Sequence, residues 1–225
     1  MRVKSVTVFC GATAGRAETH LLTAAALGGA LARAGLRLVY GGAAVGLMGA
    51  VADGALDAGG SVIGVIPGHL MRSEIAHSGL TELHIVPDMH RRKALMAELG
   101  DAFVALPGGF GTIEEMFETL TWSQLRLHNK PCVLLNHDDY YSSLLSFLRR
   151  AEHEGFISQA DIERLAVCRR PEEVVDHLVA LADTSDTHTF AGPTELPPLP
   201  PPRHQAVEPG AANASNASHL SSGAP

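Results

Sequence analysis

Short apolar runs that alternate with helical patterns constrain the fold of this chain more than any other feature. The apolar runs lie at residues 3–9, 36–40, 62–66, 83–86, 102–106 and 132–135. The helical patterns lie at residues 20–34, 47–58, 89–99, 113–127, 141–154 and 172–182. Because the strand-like runs are apolar throughout, they are typical of parallel strands that are covered on both faces. The sequence therefore predicts an α/β fold with three layers, a Rossmann-like doubly wound parallel sheet.

The alternating pattern ends near residue 183, where the composition changes. The later segments LPPLPPPRH (residues 196–204) and PGAANASNASHLSSGAP (residues 209–225) are rich in Pro, Ala and Ser. Such segments contain too few large apolar residues to form a core. We expect a single Rossmann-like domain over residues 1–183 and a disordered tail over residues 184–225.

The net charge and the cysteine content indicate which binding partners and which cellular compartment to expect. The formal net charge of the 225 residues is −7 and no block of Lys and Arg occurs, which argues against a nucleic-acid surface. The three cysteines are far apart and form no CxxC pair. Because the segment MRVKSVTVFCGATAG has one short apolar run and no apolar segment approaches the length of a membrane span, we expect neither a secretory leader nor a membrane anchor. The twelve histidines form neither HxH nor HExxH. We expect a cytoplasmic protein with no metal site and no membrane or nucleic-acid partner.

Glycine clusters follow the predicted strands one, two, three and five. The carboxyl ends of parallel strands lie at one edge of a sheet, where open α/β proteins bind their ligands. Glycine lets backbone N–H groups approach an anion, and a helix N-terminus adds a favourable dipole, so phosphate is the expected guest. Neither GxGxxG nor GxxxxGK[ST] is present, so neither NAD binding nor ATP hydrolysis is supported and no cofactor is expected. The candidate glycines in these loops are Gly11, Gly42, Gly46, Gly108, Gly109 and Gly111.

Two cations fall within the apolar stripe of the pattern MHRRKALMAEL at residues 89–99. Arg92 and Lys93 lie three and four residues after Met89, on the helical face that Met96 and Leu99 share. Their alkyl stems could pack while their charged ends reach water. The alternative is that a nearby phosphate or carboxylate neutralises them.

The segment PGGFGTIEE at residues 107–115 combines an anion-binding type of loop with two acids. Thr112 and Glu115 fit a capping box, with Thr112 at the N-cap and Glu115 at the third helical position. Glu114 would interact favourably with the helix dipole. However, the three glycines make the loop more permissive than a capping box requires. A carboxylate beside a bound phosphate suits an enzyme that stabilises a developing positive charge.

The paired segments DMHRRKALM (88–96) and PGGFGTIEE (107–115) resemble the signatures of the cytokinin riboside 5′-monophosphate phosphoribohydrolase family, known as the LONELY GUY family. YGGAAVGLMG (40–49) and VIGVIPGHL (62–70) resemble its other blocks, and the similarity covers about residues 3–182. The first loop departs from the family pattern, because Ala12 and Thr13 stand where CGSS is usual. Ala43 likewise stands where a third glycine is common.

This resemblance implies hydrolysis of the N-glycosidic bond of an N6-substituted adenosine 5′-monophosphate, or of AMP itself, to the free base and ribose 5-phosphate. It implies that Arg92 and Glu115 are catalytic, and it leaves open whether Arg92 holds phosphate, orients Glu115 or assists departure of the base. It implies a homodimer or a larger assembly. The predicted helix after Thr112 agrees, because it has more apolar surface than one face requires, at Met116, Phe117, Leu120 and Trp122. The further substrate contacts that it implies are Glu74, Lys93, Thr121, Thr112, Glu114 and the glycines of the 107–112 loop. A nucleotide carrier of the same fold and a hydrolase of plain nucleotides remain the alternatives.

Overall fold

Seven parallel strands form one sheet, and their order determines where the functional residues lie. The computed structural model describes residues 3–71 and 76–183. The strands are β1 (Ser5–Phe9), β2 (Arg37–Tyr40), β3 (Val62–Pro67), β4 (Glu82–Val86), β5 (Ala102–Ala105), β6 (Cys132–Leu135) and β7 (Leu165–Cys168). They lie in the order β4-β3-β2-β1-β5-β6-β7. The winding direction reverses between β1 and β5, whose register pairs Val6 with Ala102 and Phe9 with Ala105. Ligands of such sheets bind where the winding reverses.

Within the described residues, eight α-helices connect or follow the strands. They are α1 (Glu18–Arg33), α2 (Gly46–Asp57), α3 (Gly68–Met71), α4 (Met89–Leu99), α5 (Phe110–Gln124), α6 (Ser142–His153), α7 (Gln159–Ile162) and α8 (Pro171–Asp183). None of these described helices has the length and apolar character that a membrane span requires.

The helices cover both faces of the sheet and produce two cores. Alternate strand residues point to opposite faces, as the period of a β-strand requires. Leu38 and Tyr40 belong to the core beneath α1, α2 and α8, whereas Val39 belongs to the core beneath α4, α5 and α6. The three-layer, Rossmann-like parallel fold predicted from the sequence is confirmed.

Helix boundaries show which sequence signals were informative. The predicted helical pattern at residues 89–99 follows Asp88, which is the N-cap of α4, since its carboxylate accepts a 2.8 Å hydrogen bond from the N–H of Arg91. The predicted pattern at residues 20–34 is followed by Gly35, which has a left-handed φ of +71° directly after the C-cap residue Ala34 of α1. The strand β7 was not predicted. The expected tail, residues 184–225, lies outside the described residues, so the division of the chain near residue 183 stays a prediction.

Candidate active site

Three loops from the carboxyl edge of the sheet contact one another at the reversal point. The loop after β1 is joined to the loop after β5 by the Gly11 N–H, which donates to the Pro107 carbonyl at 3.1 Å. The Gly11 carbonyl accepts from the N–H of Leu47 in the first turn of α2, also at 3.1 Å. Gly46 has a φ of +58°, and a Cβ there would lie 2.4 Å from the Ala12 carbonyl carbon. The backbones of these loops are therefore in direct contact, which only glycine permits at residue 46.

The segment of residues 107–112 is named here the glycine loop, and its last three residues form the first turn of α5. This helix therefore begins earlier than the sequence predicted. The helix begins at Phe110, its N-cap is Gly109, and no side chain caps it. The predicted capping box, with Thr112 at the N-cap and Glu115 at the third position, is therefore wrong. Gly109 supplies the N-cap conformation without a side chain, so Thr112 becomes the third helical residue.

Unpartnered donors accumulate at this helix start. The N–H groups in the first turn of any α-helix lack partners within the helix, and they carry the positive end of its dipole. The Thr112 hydroxyl is 3% exposed and has no hydrogen-bond partner within residues 3–71 and 76–183. A Cβ at Gly108 would lie 2.0 Å from that hydroxyl oxygen, so the oxygen lies against the glycine loop itself. These N–H groups and this hydroxyl are available to donate hydrogen bonds to an anion.

The guanidinium of Arg92 is buried close to these loops. Arg92 is 9% exposed, and its Nη2 would lie 1.8 Å from a Cβ at Gly41, so the group rests on the backbone of the loop after β2. Its Nη1 lies 3.7 Å from Met89 Sδ and its Nη2 lies 4.0 Å from Met48 Sδ. Thioethers are weak, uncharged acceptors, and the Nε has no hydrogen-bond partner in the described part of the chain. Of the two alternatives that the sequence left open, the structure shows a buried guanidinium rather than one that reaches water, and this group can bind an anion.

Glu115 lies on the buried face of α5 and is 9% exposed. Burial raises the pKa of this carboxyl group to about 7, while the positive charge of Arg92 opposes the rise. The negative charge of Glu114 adds to it. A carboxyl group with this pKa exists in both protonation states near neutral pH and suits proton transfer. The charges of Glu115 and Arg92 both influence the buried thiol of Cys10, whose pKa is raised mainly by burial. These three side chains therefore share one environment.

Lys93 is neutralised within the protein. Its ammonium group forms ion pairs with Glu114 and with Glu118, the second at 3.0 Å. Burial alone would lower the pKa of Lys93, but hydrogen bonds and charges from the two glutamates raise it above its ordinary value. A lysine that forms a Schiff base needs a lowered pKa, so this ammonium group is unsuited to that chemistry.

The remaining predicted site residues lie in different places. The Thr121 hydroxyl donates to the Phe117 carbonyl within α5, and nine residues of helix separate it from Thr112, about 14 Å along the axis. Gly42 packs toward Ile66 of β3, and its carbonyl accepts from the N–H of His77. Glu74 lies outside the described residues. The structure thus brings together Gly11, Gly46, Arg92, Gly108, Gly109, Gly111, Thr112 and Glu115, with the ion-paired Lys93 and Glu114 beside them.

One residue at this edge was missed by the sequence reasoning. The Tyr140 hydroxyl donates to the Gly108 carbonyl at 2.7 Å, from the loop that follows β6. The loop after the sixth strand contains no glycine cluster, so the pattern used for the other loops did not find it. Its position at the carboxyl end of a predicted parallel strand was an available signal.

Comparison with known proteins identifies the family. A family described as "Possible lysine decarboxylase" matches residues 48–178. A cytokinin riboside 5′-monophosphate phosphoribohydrolase from Rhodococcoides fascians is 61% identical over 173 residues, which are 76% of this chain and 87% of that protein. The chain belongs to the cytokinin riboside 5′-monophosphate phosphoribohydrolase family. The family resemblance and the hydrolase class predicted from the sequence are confirmed.

A further member of this phosphoribohydrolase family matches the sequence, and a solved structure matches the fold. A protein of the same name from Arabidopsis thaliana is 45% identical over 177 residues, 79% of this chain and 82% of that protein. Among solved structures, the molybdenum cofactor carrier protein from Chlamydomonas reinhardtii is 27% identical with a TM-score of 0.62, covering 80% of this chain and 99% of that one. The ion-paired Lys93 gives no support to the decarboxylase chemistry in the description of the family.

Proposed function

We propose that this phosphoribohydrolase-family chain hydrolyses the N-glycosidic bond of N6-substituted adenosine 5′-monophosphates. The products are the free base and ribose 5-phosphate. The names of the relatives support this reaction, and one observation within the chain carries the proposal. A buried carboxyl group with a pKa of about 7, that of Glu115, lies beside a set of unpartnered anion donors.

The 5′-phosphate is assigned to the glycine loop. Its recognition would use the first N–H groups of α5 and the Thr112 hydroxyl, which is buried without a partner in the described ranges. The Arg92 guanidinium supplies a fixed positive charge and a planar set of donors. A phosphate held there would place the attached ribose next to the first turns of α5, where Glu115 lies.

Glu115 is assigned to the bond that breaks. As the bond between C1′ and the base nitrogen lengthens, positive charge develops on the ribose, as in glycoside hydrolysis. Ionised Glu115 would stabilise that charge and accept a proton from the attacking water, whose hydroxyl joins C1′. The departing base nitrogen takes up one proton from solvent, and Glu115 afterwards releases to solvent the proton that it accepted, so the atoms and charges balance.

A carrier protein that binds nucleotides without turnover is the alternative, and the Chlamydomonas reinhardtii neighbour gives it a structural precedent. That neighbour is 27% identical, whereas the Rhodococcoides fascians relative is 61% identical. A carrier also has no need of a buried Glu115, because its negative charge would oppose anion binding. We therefore favour the enzyme.

The proposed reaction is tested by comparing nucleotides with nucleosides. An N6-substituted adenosine 5′-monophosphate, AMP and the two corresponding nucleosides are incubated with the protein, and free base is measured by chromatography. We expect kcat/KM for each nucleotide to exceed that for its nucleoside by at least about tenfold, because one charge-assisted hydrogen bond contributes about 1.5–3 kcal/mol.

Two outcomes would contradict parts of this proposal. Binding of nucleotides without release of base would favour the carrier alternative. Equal kcat/KM for a nucleotide and its nucleoside would remove the phosphate from the glycine loop while leaving hydrolysis in place.

We also propose a homodimer, and the apolar surface of α5 supports it in part. The sequence reasoning relied on Met116, Phe117, Leu120 and Trp122. Met116 is buried, and Leu120 and Trp122 pack against the core, so these residues are largely used within one chain. Phe110 (97% exposed) and Leu125 (63% exposed) extend from the two ends of α5 and favour self-association. Light scattering at micromolar concentration should give a mass near twice that of one chain, and a monomer would contradict the proposal.

A cytoplasmic protein without nucleic-acid or membrane partners is proposed on chemical grounds. The net charge of −7 opposes binding to phosphate polymers and acidic lipids. Cys10, Cys132 and Cys168 are all buried free thiols, which suits a reducing compartment.

A further inference from the structure

Three successive carbonyl groups, on the residue before the glycine loop and on its first two residues, each accept a hydrogen bond from another loop. The Leu106 carbonyl accepts from the Tyr141 hydroxyl at 2.6 Å. The Pro107 carbonyl accepts from the Gly11 N–H at 3.1 Å. The Gly108 carbonyl accepts from the Tyr140 hydroxyl at 2.7 Å. Both tyrosines come from the loop between β6 and α6.

The planarity of the peptide bond gives these contacts a directional consequence. In a trans peptide, the carbonyl of one residue and the N–H of the next point in opposite directions. Fixing the Gly108 carbonyl therefore fixes the direction of the Gly109 N–H, and fixing the Pro107 carbonyl does the same for the Gly108 N–H. The peptide after Leu106 is different, because Pro107 has no N–H to direct.

A peptide between two glycines needs such a restraint. Glycine occupies left-handed and right-handed backbone regions with similar ease, so the peptide that joins Gly108 and Gly109 can rotate at little cost. Gly109 is open on its Cβ side, where a methyl group would meet no atom within 4 Å. Within the described residues, the Tyr140 hydroxyl is the hydrogen-bond donor found at the Gly108 carbonyl.

Tyr140 is itself held in place. Its ring makes edge contacts with His20, at 5.7 Å between ring centroids, and with Tyr141, at 4.9 Å. The two residues before it, Asp138 and Asp139, have left-handed φ values of 52° and 57°. Such backbone conformations are costly and persist where the surroundings impose them. Their carboxylates are tied by Thr19, which bonds Asp138 at 3.2 Å, and by Arg169, which bonds Asp139 at 3.2 Å.

We propose that Tyr140 is a positioning residue for phosphate recognition: its hydroxyl fixes the peptide between Gly108 and Gly109 so that the Gly109 N–H faces the bound anion. This inference rests on the proposed placement of the 5′-phosphate in the glycine loop. Tyr140 acts through the backbone and has no role in breaking the glycosidic bond.

The neighbouring tyrosine provides a matched control. Y140F removes the hydroxyl that directs an N–H, while the ring contacts remain. Y141F removes a hydroxyl that holds the Leu106 carbonyl, which directs no N–H but is buried. Comparison of the two variants therefore distinguishes an effect on the orientation of the Gly109 N–H from an effect on the stability of the loop.

The test measures the affinity of ribose 5-phosphate by calorimetry, together with the melting temperature and the separate values of kcat and KM, for the full chain and both variants. We expect Y140F to weaken ribose 5-phosphate binding about fivefold, the size of one lost hydrogen bond, with kcat and melting temperature nearly unchanged. For Y141F we expect the reverse. Its melting temperature falls by a few degrees, because the buried carbonyl loses its partner, and its affinity stays within about twofold.

Each outcome decides one point. If wild-type protein binds ribose 5-phosphate and Y140F binds it equally well, the positioning role is wrong and the placement of the phosphate stands. If wild-type protein does not bind ribose 5-phosphate, the placement of the phosphate is itself wrong. Unfolding of Y140F, or an equal loss of affinity in Y141F, would make the tyrosines structural supports and overturn the inference.

Discussion

Substitution of Glu115 by glutamine is expected to lower kcat by roughly 10²-fold or more, the effect of removing one preorganised electrostatic group. Glutamine keeps the shape of the side chain and removes its charge and its ability to accept a proton. Binding of ribose 5-phosphate is expected to persist or to tighten, because a negative charge near the phosphate is lost. The measurements are kcat from release of free base and affinity by calorimetry.

The stability of the same variant reports whether the buried carboxyl has the pKa assigned to it. Because the pKa of Glu115 is about 7 in the folded chain and 4.5 is its ordinary value, the folded state holds this proton more tightly than the unfolded state. Wild-type stability should therefore fall as pH rises from about 4.5 to about 7, by up to about 3 kcal/mol. E115Q has no carboxyl group to ionise at this position and therefore avoids this loss of stability. Its melting temperature should exceed that of wild type by several degrees at pH 8 and by little at pH 4.5.

Glu114 provides the comparison for this experiment, since it is the adjacent acid, is exposed and is paired with Lys93. E114Q should show neither the large loss of kcat nor the stabilisation at pH 8. A folded E115Q variant that turns over at the wild-type rate would remove Glu115 from the reaction and direct attention to Glu114 or Glu74.

Substitution of Gly41 by alanine is expected to lower kcat/KM by roughly 10²-fold without any change to a charged residue. The added Cβ would lie 1.8 Å from Arg92 Nη2 and 2.8 Å from Met48 Sδ, so the guanidinium must leave its position. A displacement of about 1 Å in a group that orients substrate has an effect of this size. Gly41 is not among the residues with positive φ, so alanine introduces no backbone strain there. Release of free base and circular dichroism report activity and folding.

Two controls distinguish displacement of the Arg92 guanidinium from a general disturbance of the fold. G68A adds the same methyl group at the first residue of α3, where the nearest atom is Ile85 Cγ2 at 3.7 Å, and should behave as wild type. In an R92A background, G41A should cost little more, because its effect passes through the missing side chain. Additive losses in the double variant would show that Gly41 acts independently of Arg92.

The sequence was sufficient for the sheet and for most of the site because both depend on local patterns. Each central strand is a mainly apolar run, and strand β7 was missed because it lies at the edge, where Val167 is 44% exposed and the run is short. The place of Arg92 on the apolar stripe of α4 followed from the helical spacing. That stripe did not reveal Gly41 as the surface on which the guanidinium rests, since the contact joins α4 to the loop after β2, far apart in the chain.

The start of α5 shows a different limit. Ser, Thr and Asp are good N-caps, so Thr112 was the natural prediction, yet a glycine can also take the N-cap conformation. The choice between them depends on where the loop must meet the Gly11 and Tyr140 contacts, which no local pattern records. Tyr140 was missed for the same reason, because its function depends on a hydrogen bond to a backbone carbonyl 32 positions away in sequence.

The order of the strands has a consequence for synthesis of the chain on the ribosome. β1 is made first and pairs with β2 soon afterwards, but its other edge waits for β5. Throughout that interval the nascent chain presents one open edge of a strand whose five residues are all buried in the folded chain, a surface prone to wrong pairing. The pairing that closes this edge also joins Gly11 to the glycine loop, so the nascent chain gains its anion site only when its most vulnerable edge is covered.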